Sequence, residues 1–132
     1  MNNVVFEKSK KLAVRIVGLY QYLNQEKKEY TMAKQILRCG TSIGANIAEA
    51  QYGITRRDFA NKLYVALKEC AETHYWLELL FTTKYIEYKQ FISLRNDCEE
   101  LLRMLSSATK TLMDERQSFP GFLYSSLLIP HS

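Results

Sequence analysis

Four stretches of the chain place apolar side chains at alternating spacings of three and four residues, and this pattern constrains the fold most. The stretches span about residues 4–24, 31–51, 55–81 and 86–117. Alternation of this kind is the heptad repeat of helices that bury one stripe of side chains against their neighbours. The chain also has only 5 Gly and 2 Pro, too few for the many tight turns of a sandwich or barrel. The sequence therefore predicts an all-α domain, an antiparallel up-down-up-down four-helix bundle over residues 1–117.

The apolar seams of the four helices form the predicted core. The seam residues are Val5, Ser9, Leu12, Ile16, Leu19 and Leu23, then Ile36, Gly40, Ile43, Ile47 and Ala50, then Phe59, Leu63, Ala66, Cys70, His74, Leu77 and Phe81, then Phe91, Leu94, Cys98, Leu101, Leu105, Ala108 and Leu112. Gly40, Gly44 and Ala48 recur every four residues, and small residues at this spacing allow a second helix to approach closely. Thr55 and Asp58 have the spacing of a capping box, which predicts the start of the third helix.

The segment that follows the predicted bundle is apolar. Residues 118–132 read SFPGFLYSSLLIPHS and contain no acidic or basic residue before His131. We expect this C-terminal tail to pack on the bundle or on a neighbouring subunit, with disorder or a peripheral membrane contact as the alternative. The chain has no run of about 20 uncharged apolar residues, so the sequence predicts no membrane span.

Charge is distributed unevenly along the chain, whose formal net charge is +4. Residues 1–68 hold 12 basic and 5 acidic residues, whereas residues 69–132 hold 6 basic and 9 acidic ones. A basic half favours a surface that faces a polyanion, and a solvated face with uneven signs is an equal alternative. The residues predicted to bind phosphate backbones lie off the apolar seams and are Lys8, Lys11, Arg15, Arg57 and Lys68.

The sequence contains none of the common residue patterns of catalytic or metal-binding sites. The chain lacks a Ser-His-Asp set, a phosphate-binding glycine loop and the ligand spacing of a zinc site, and it has only 2 His. His74 lies on the seam of the third helix, where we expect a hydrogen-bonded core residue. Cys39, Cys70 and Cys98 lie in apolar stretches without a CxxC pair, which predicts buried, reduced thiols and a cytoplasmic location. We therefore expect a protein that is not an enzyme and holds no cofactor or metal.

Two further stripes lie opposite the apolar seams. The aromatic face of the third helix consists of Tyr75, Trp76 and Leu79. Because a bundle hides one stripe of each helix, the aromatic face predicts an oligomer interface, unless a wide core or the tail covers it. The polar stripe of the second helix consists of Arg38, Ser42, Asn46 and Glu49. It is either solvated surface or a hydrogen-bonded network at an inter-helix or inter-subunit contact.

Residues 35–59, QILRCGTSIGANIAEAQYGITRRDF, resemble the signature of the 23S rRNA intervening-sequence proteins, a four-helix bundle family also called the S23 ribosomal protein family. The matching residues are Gln35, Arg38, Ser42, Ile43, Asn46, Ile47, Ala48 and Glu49. The likeness extends over about residues 5–115. Gly44 stands where many members have Pro, and Ala50 stands where many have Gly. The coincidence of the polar stripe with this signature favours a structural or interface network there.

The resemblance implies a cytoplasmic bacterial protein that is not an enzyme and that assembles into a ring-shaped homopentamer. Such proteins are similar to the accessory proteins of diversity-generating retroelements, which bind RNA and a reverse transcriptase. Two classes of function follow from this. The first is a homo-oligomeric accessory protein that binds RNA or another nucleic acid through a basic surface. The second is an oligomeric scaffold that binds a reverse transcriptase or another protein and has no nucleic-acid role.

Overall fold

The described part of the chain consists of helices joined by short turns. The structure is a computed structural model that describes residues 3–117, and these contain no β-strand. The helices are α1 (Asn3–Gln25), α2 (Thr31–Ala50), α3 (Arg56–Thr82) and α4 (Tyr88–Gln117). None of these four helices is long and apolar enough to cross a membrane. The predicted all-α class and four-helix bundle are confirmed, while the predicted tail at residues 118–132 lies outside the described residues.

The starts of α3 and α4 depend on side chains that bind free backbone groups. Thr55 Oγ1 accepts the Asp58 N–H at 3.0 Å, and the Asp58 carboxylate accepts the Thr55 N–H at 3.3 Å, so the predicted capping box is confirmed. The sequence pattern predicts Ile86 within α4, but Ile86 precedes the helix and is buried. The Glu87 N–H then donates to the Gln90 side-chain oxygen at 2.9 Å. This contact satisfies a backbone donor just before α4 begins.

Helix α1 approaches α2 closely at two glycines. Each helix packs against the next one in the chain, and α4 also packs against α1. A Cβ at Gly40 would lie 2.8 Å from Ile16 Cγ2, and a Cβ at Gly44 would lie 3.1 Å from Ser9 Oγ. Because these distances are shorter than ordinary van der Waals contacts, the spacing of the two helices depends on residues without a Cβ. Gly40 faces Ile16, whereas Gly44, later on α2, faces Ser9, earlier on α1. The two helices therefore run in opposite directions.

Most residues of the predicted seams lie in the core, and the exceptions include His74 on α3. The seam residues that are only half-buried are Phe59, His74, Phe81 and Ala108. The fully buried position next to His74 belongs to Thr73, whose hydroxyl donates to the Glu69 carbonyl at 2.8 Å. His74 instead lies on the flank that faces α4, and its Nε2 is 3.0 Å from Glu99 Oε2. The predicted core position of His74 is therefore wrong, because the adjacent Thr73 occupies that position and its hydroxyl also lies 3.3 Å from Cys39 Sγ on α2.

The three thiols are buried, as predicted. Cys39, Cys70 and Cys98 have no exposed surface, and none of them forms a disulfide. Burial raises the pKa of Cys39 to about 11. The Sγ atoms of Cys70 and Cys98 lie 3.8 Å apart between α3 and α4, and this hydrogen bond together with burial raises the pKa of Cys98. Cys39 and Cys98 are therefore neutral thiols at neutral pH.

Candidate functional site

The polar stripe of α2 contacts α3 through Arg38. Its Nη1 lies 3.1 Å from Glu69 Oε2, and its Nη2 forms an ion pair with Glu72 Oε2. The Trp76 Nε1–H donates to the same Glu72 oxygen at 3.0 Å. Glu72 therefore connects the polar stripe of α2 with the aromatic face of α3. Sequence reasoning treated these two features as separate.

Electrostatics in this network favour the ionised forms. The hydrogen bonds from Arg38 and Trp76 lower the pKa of Glu72 below its usual value, and the hydrogen bond to Glu72 raises the pKa of Arg38. The Arg38 side chain remains half-exposed, and exposed ion pairs contribute only about 0.2–1 kcal/mol to stability. The network also contacts the indole ring of Trp76, whose orientation is restricted by the hydrogen bond to Glu72.

The rest of the polar stripe divides between its own helix and α3. Ser42 Oγ donates to the Arg38 carbonyl at 2.7 Å, and Asn46 Nδ2 donates to the Ser42 carbonyl at 2.8 Å. Glu49 Oε1 accepts from Lys62 Nζ at 2.7 Å. The two ends of the stripe therefore contact α3, while its two middle residues bond to their own helix.

The aromatic face of α3 is only partly free. Tyr75 is 55% exposed, whereas Trp76 and Leu79 are half-buried and the indole of Trp76 packs against the core. The Tyr75 and Trp76 rings meet edge to face, with centroids 5.0 Å apart. Val65 adds apolar surface to the same helix and is 43% exposed. The structure thus brings the predicted interface residues together, with Tyr75 as the most exposed member.

Two of the three basic residues predicted on α1 form ion pairs with α4. Lys8 Nζ lies 3.2 Å from Glu100 Oε1, and Arg15 Nη1 lies 2.6 Å from Asp97 Oδ2. Lys11 is exposed, and it has no ion-pair partner among the described side chains of residues 4–113. Carboxylates of α4 therefore neutralise most of the cationic surface that the sequence predicts on α1.

The remaining two basic residues lie on α3. Arg57 and Lys68 are exposed, and within the described part of the chain neither has a carboxylate partner. Lys68 Nζ lies 5.9 Å from the centroid of the Tyr64 ring, a cation–π contact that leaves the ammonium group open to solvent. Helices α1 and α3 each pack on α2 and α4, so α3 lies diagonally opposite α1 in the bundle. The five predicted residues therefore form two separate surfaces.

Sequence reasoning did not identify the acidic residues that determine these contacts. Glu69 and Glu72 are three residues apart on α3, and Asp97 and Glu100 are three apart on α4. Residues at this spacing share one face of a helix, so the two carboxylate pairs indicate an acidic face on α3 and another on α4. Which helix they face is a property of the packed bundle.

The described residues contain no arrangement typical of a metal or catalytic centre. His74 lies between Glu99 and Glu78, with Nδ1 3.4 Å from Glu78 Oε1. Among the side chains that the structure describes, those of residues 4–113, no group of three or more His, Cys, Asp or Glu is placed to hold a metal ion.

Comparison with known proteins gives a consistent result. The family model for the 23S rRNA-intervening sequence protein matches residues 1–107. The chain is also similar to a crystal structure from Bacteroides thetaiotaomicron VPI-5482, described as a protein with unknown function from the S23 ribosomal protein family. The two chains are 56% identical with a TM-score of 0.80, and the match covers 82% of this chain and 96% of the other. No curated protein matches. This chain therefore belongs to the family of 23S rRNA intervening-sequence proteins.

Proposed function

We propose that this protein is a non-catalytic homo-oligomer that binds RNA or another nucleic acid through exposed cations. The proposal depends on the distribution of exposed side chains along the outer face of α3, the face opposite its apolar seam. Arg57 and Lys68 lie on its N-terminal half, and the exposed ring of Tyr75 lies on its C-terminal half. At a rise of 1.5 Å per residue, Arg57 and Lys68 are about 16 Å apart along the axis. One helix therefore presents a phosphate-binding segment followed by an interface segment.

The aromatic face supports self-association for two reasons. Aromatic side chains are enriched at the centres of protein interfaces, where truncation of an anchor costs about 2 kcal/mol or more. The indole of Trp76 is also held in place by Glu72, so little side-chain entropy remains to be lost on assembly. We propose the ring-shaped homopentamer that family resemblance implies.

Light scattering tests the assembly. Tyr75→Arg should lower the mass of the particle toward the 15.4 kDa of one chain, because it places a charge within the contact. Tyr52→Arg is a matched control, since Tyr52 is 87% exposed in the turn after α2. A wild-type mass of 15.4 kDa at micromolar concentration would exclude the oligomer, and equal effects of the two substitutions would exclude this face.

We propose that the protein contacts the phosphate groups of a nucleic acid rather than the edges of its bases. Arg57 and Lys68 on α3 and Lys11 on α1 are the exposed cations expected to contribute most. Lys8 and Arg15 are expected to contribute less, because carboxylates of α4 already neutralise them. A ring repeats each weak contact in every subunit, so the contacts add through multivalency. Binding of this kind should fall steeply with salt.

Fluorescence anisotropy with a single-stranded oligouridine tests this part. The double variant Arg57→Glu, Lys68→Glu should weaken binding about tenfold or more and should reduce the salt dependence of the affinity. The control is Lys84→Glu, Lys89→Glu, which changes the net charge equally at two exposed residues beyond the C-terminal end of α3, one in the following turn and one in the first turn of α4. Equal losses in the two variants would mean that net charge alone governs binding.

A protein-binding scaffold is the second candidate, and one observation favours it. The ion pairs of Lys8 and Arg15 leave less free cationic surface on α1 than the sequence indicates. Absence of RNA binding at low salt, with the oligomer intact, would favour this function and a protein partner such as a reverse transcriptase. The buried thiols Cys39, Cys70 and Cys98 favour a reducing compartment, so we propose a cytoplasmic location for either function.

A further inference from the structure

A groove opens at the end of the bundle where α1 and α3 begin and α4 ends. Its volume is about 740 Å³. The apolar wall of the groove consists of Val5, Phe59, Leu63, Met104, Ala108 and Leu112. Phe59, Met104 and Ala108 are only half-buried there, so the groove leaves apolar surface in contact with solvent. Arg56 and Arg103 line its edge.

The wall of this groove continues beyond the part of the chain that the family model matches. The match ends at residue 107, whereas α4 continues to Gln117 and brings Thr111 and Leu112 to the groove. The sequence that follows α4 is apolar, with large side chains at Phe119, Phe122, Leu123, Tyr124, Leu127, Leu128 and Ile129. The part of the groove wall that lies beyond the family match is therefore followed directly in the chain by the apolar residues 118–132.

We propose that residues 119–129 fill this groove of their own chain. Pro120 cannot continue a helix, and Pro-Gly is a common turn dipeptide, so the chain can reverse directly after α4. The way back from Gln117 to Met104 along α4 is about 20 Å. Eight extended residues after Gly121 reach about 26 Å, which is sufficient.

The chemistry of the two partners is matched. Residues 118–130 contain no charged side chain, so docking in an apolar groove buries no charge. The half-buried Phe59 and Met104 would lose their remaining contact with water. Removal of apolar surface from water contributes a favourable free energy to docking. The proposal concerns a different part of the bundle from the outer face of α3 and does not depend on RNA binding or assembly.

Paramagnetic NMR on the full-length chain tests the proposal. A spin label is attached to the single substitution Ser125→Cys, because the three native thiols are fully buried and do not compete for it. The methyl signal of Met104 should broaden strongly. The methyl signal of Met32 at the start of α2, the end of that helix far from the groove, is the internal control and should stay sharp.

Two further samples make the result specific. In the first, Phe122→Asp and Leu123→Asp should restore the Met104 signal, because charges would oppose apolar docking. In the second, the spin label and the isotope label are on different chains that are refolded together, and Met104 should then stay sharp. The proposal is overturned by an unaffected Met104 in the first experiment, by broadening that survives the two Asp substitutions, or by broadening only between chains. The last result would place the segment in the groove of a second copy.

Discussion

Replacing Gly40 by Ala adds one methyl group where Ile16 of α1 packs closely against α2. The new Cβ would lie 2.8 Å from Ile16 Cγ2 and 3.3 Å from Ile16 Cβ, so a rotation of the isoleucine side chain alone does not remove the clash. Overpacking of this kind costs about 1–3 kcal/mol. Alanine at a helix interior recovers about 1 kcal/mol relative to glycine. We therefore expect a net loss of about 1 kcal/mol in the free energy of unfolding.

Gly18→Ala provides the matched control for this prediction. Gly18 also lies inside a helix, but a Cβ there would have no neighbour within 4 Å. The control should gain about 1 kcal/mol, so the two variants should differ by about 2 kcal/mol. Urea unfolding at one fixed protein concentration measures the difference, because assembly makes stability concentration-dependent.

A double-mutant cycle tests whether Ile16 is the cause. Ile16→Ala removes both Cγ atoms, so it should lower the cost of Gly40→Ala when the two are combined. The coupling should recover most of the 1–3 kcal/mol overpacking term. Strict additivity, or a stabilising Gly40→Ala equal to the control, would refute the close contact between α1 and α2.

Three further predictions concern single sites. Hydrogen bonds from Arg38 and Trp76 lower the pKa of Glu72 in the folded protein below its usual value of 4.5. The stabilisation that these hydrogen bonds provide is therefore fully present above pH 4.5, and it is lost as the pH falls through the lower pKa of the folded protein. Arg38→Met should therefore cost about 0.5 kcal/mol in thermal unfolding at pH 7 and less at pH 3. Lys84→Gly should stabilise the protein by about 0.5–1 kcal/mol in the same assay, because Lys84, which follows the C-cap residue Thr83 of α3, has a φ of 70°. The three buried thiols should react with an aromatic disulfide reagent only upon unfolding, and fast reaction of one of them in native protein would contradict their burial.

The fold was predictable because burial along a helix repeats over a few residues and can be read locally. Leu12, Ile16 and Leu23 lie at 0% exposure where the seam of α1 places them. The failure at His74 has a tertiary cause. Both Thr73 and His74 lie near the seam of α3, and the choice between them depends on Cys39 of α2, which is 3.3 Å from the Thr73 hydroxyl. A pattern read along one helix does not contain that neighbour.

The candidate surfaces were less predictable than the core. Spacing along α3 correctly grouped Tyr75 with Trp76, since residues on one helix keep a fixed angular relation. It did not reveal that Glu72 connects Trp76 to Arg38, because that contact joins two helices. Ion pairs between distant parts of the chain, such as Lys8 with Glu100, depend likewise on the packing of the bundle.

The ion pairs between α1 and α4 change the meaning of the uneven charge of the chain. Lys8 and Arg15 belong to the basic half of the sequence, and their partners Glu100 and Asp97 belong to the acidic half. The two halves thus compensate each other inside one subunit, and a count of charges along the chain overstates the long-range field at α1. Added salt weakens these contacts as well as contacts to phosphate. Salt titrations of this protein therefore act on the α1–α4 edge of the bundle and on any bound polyanion at the same time.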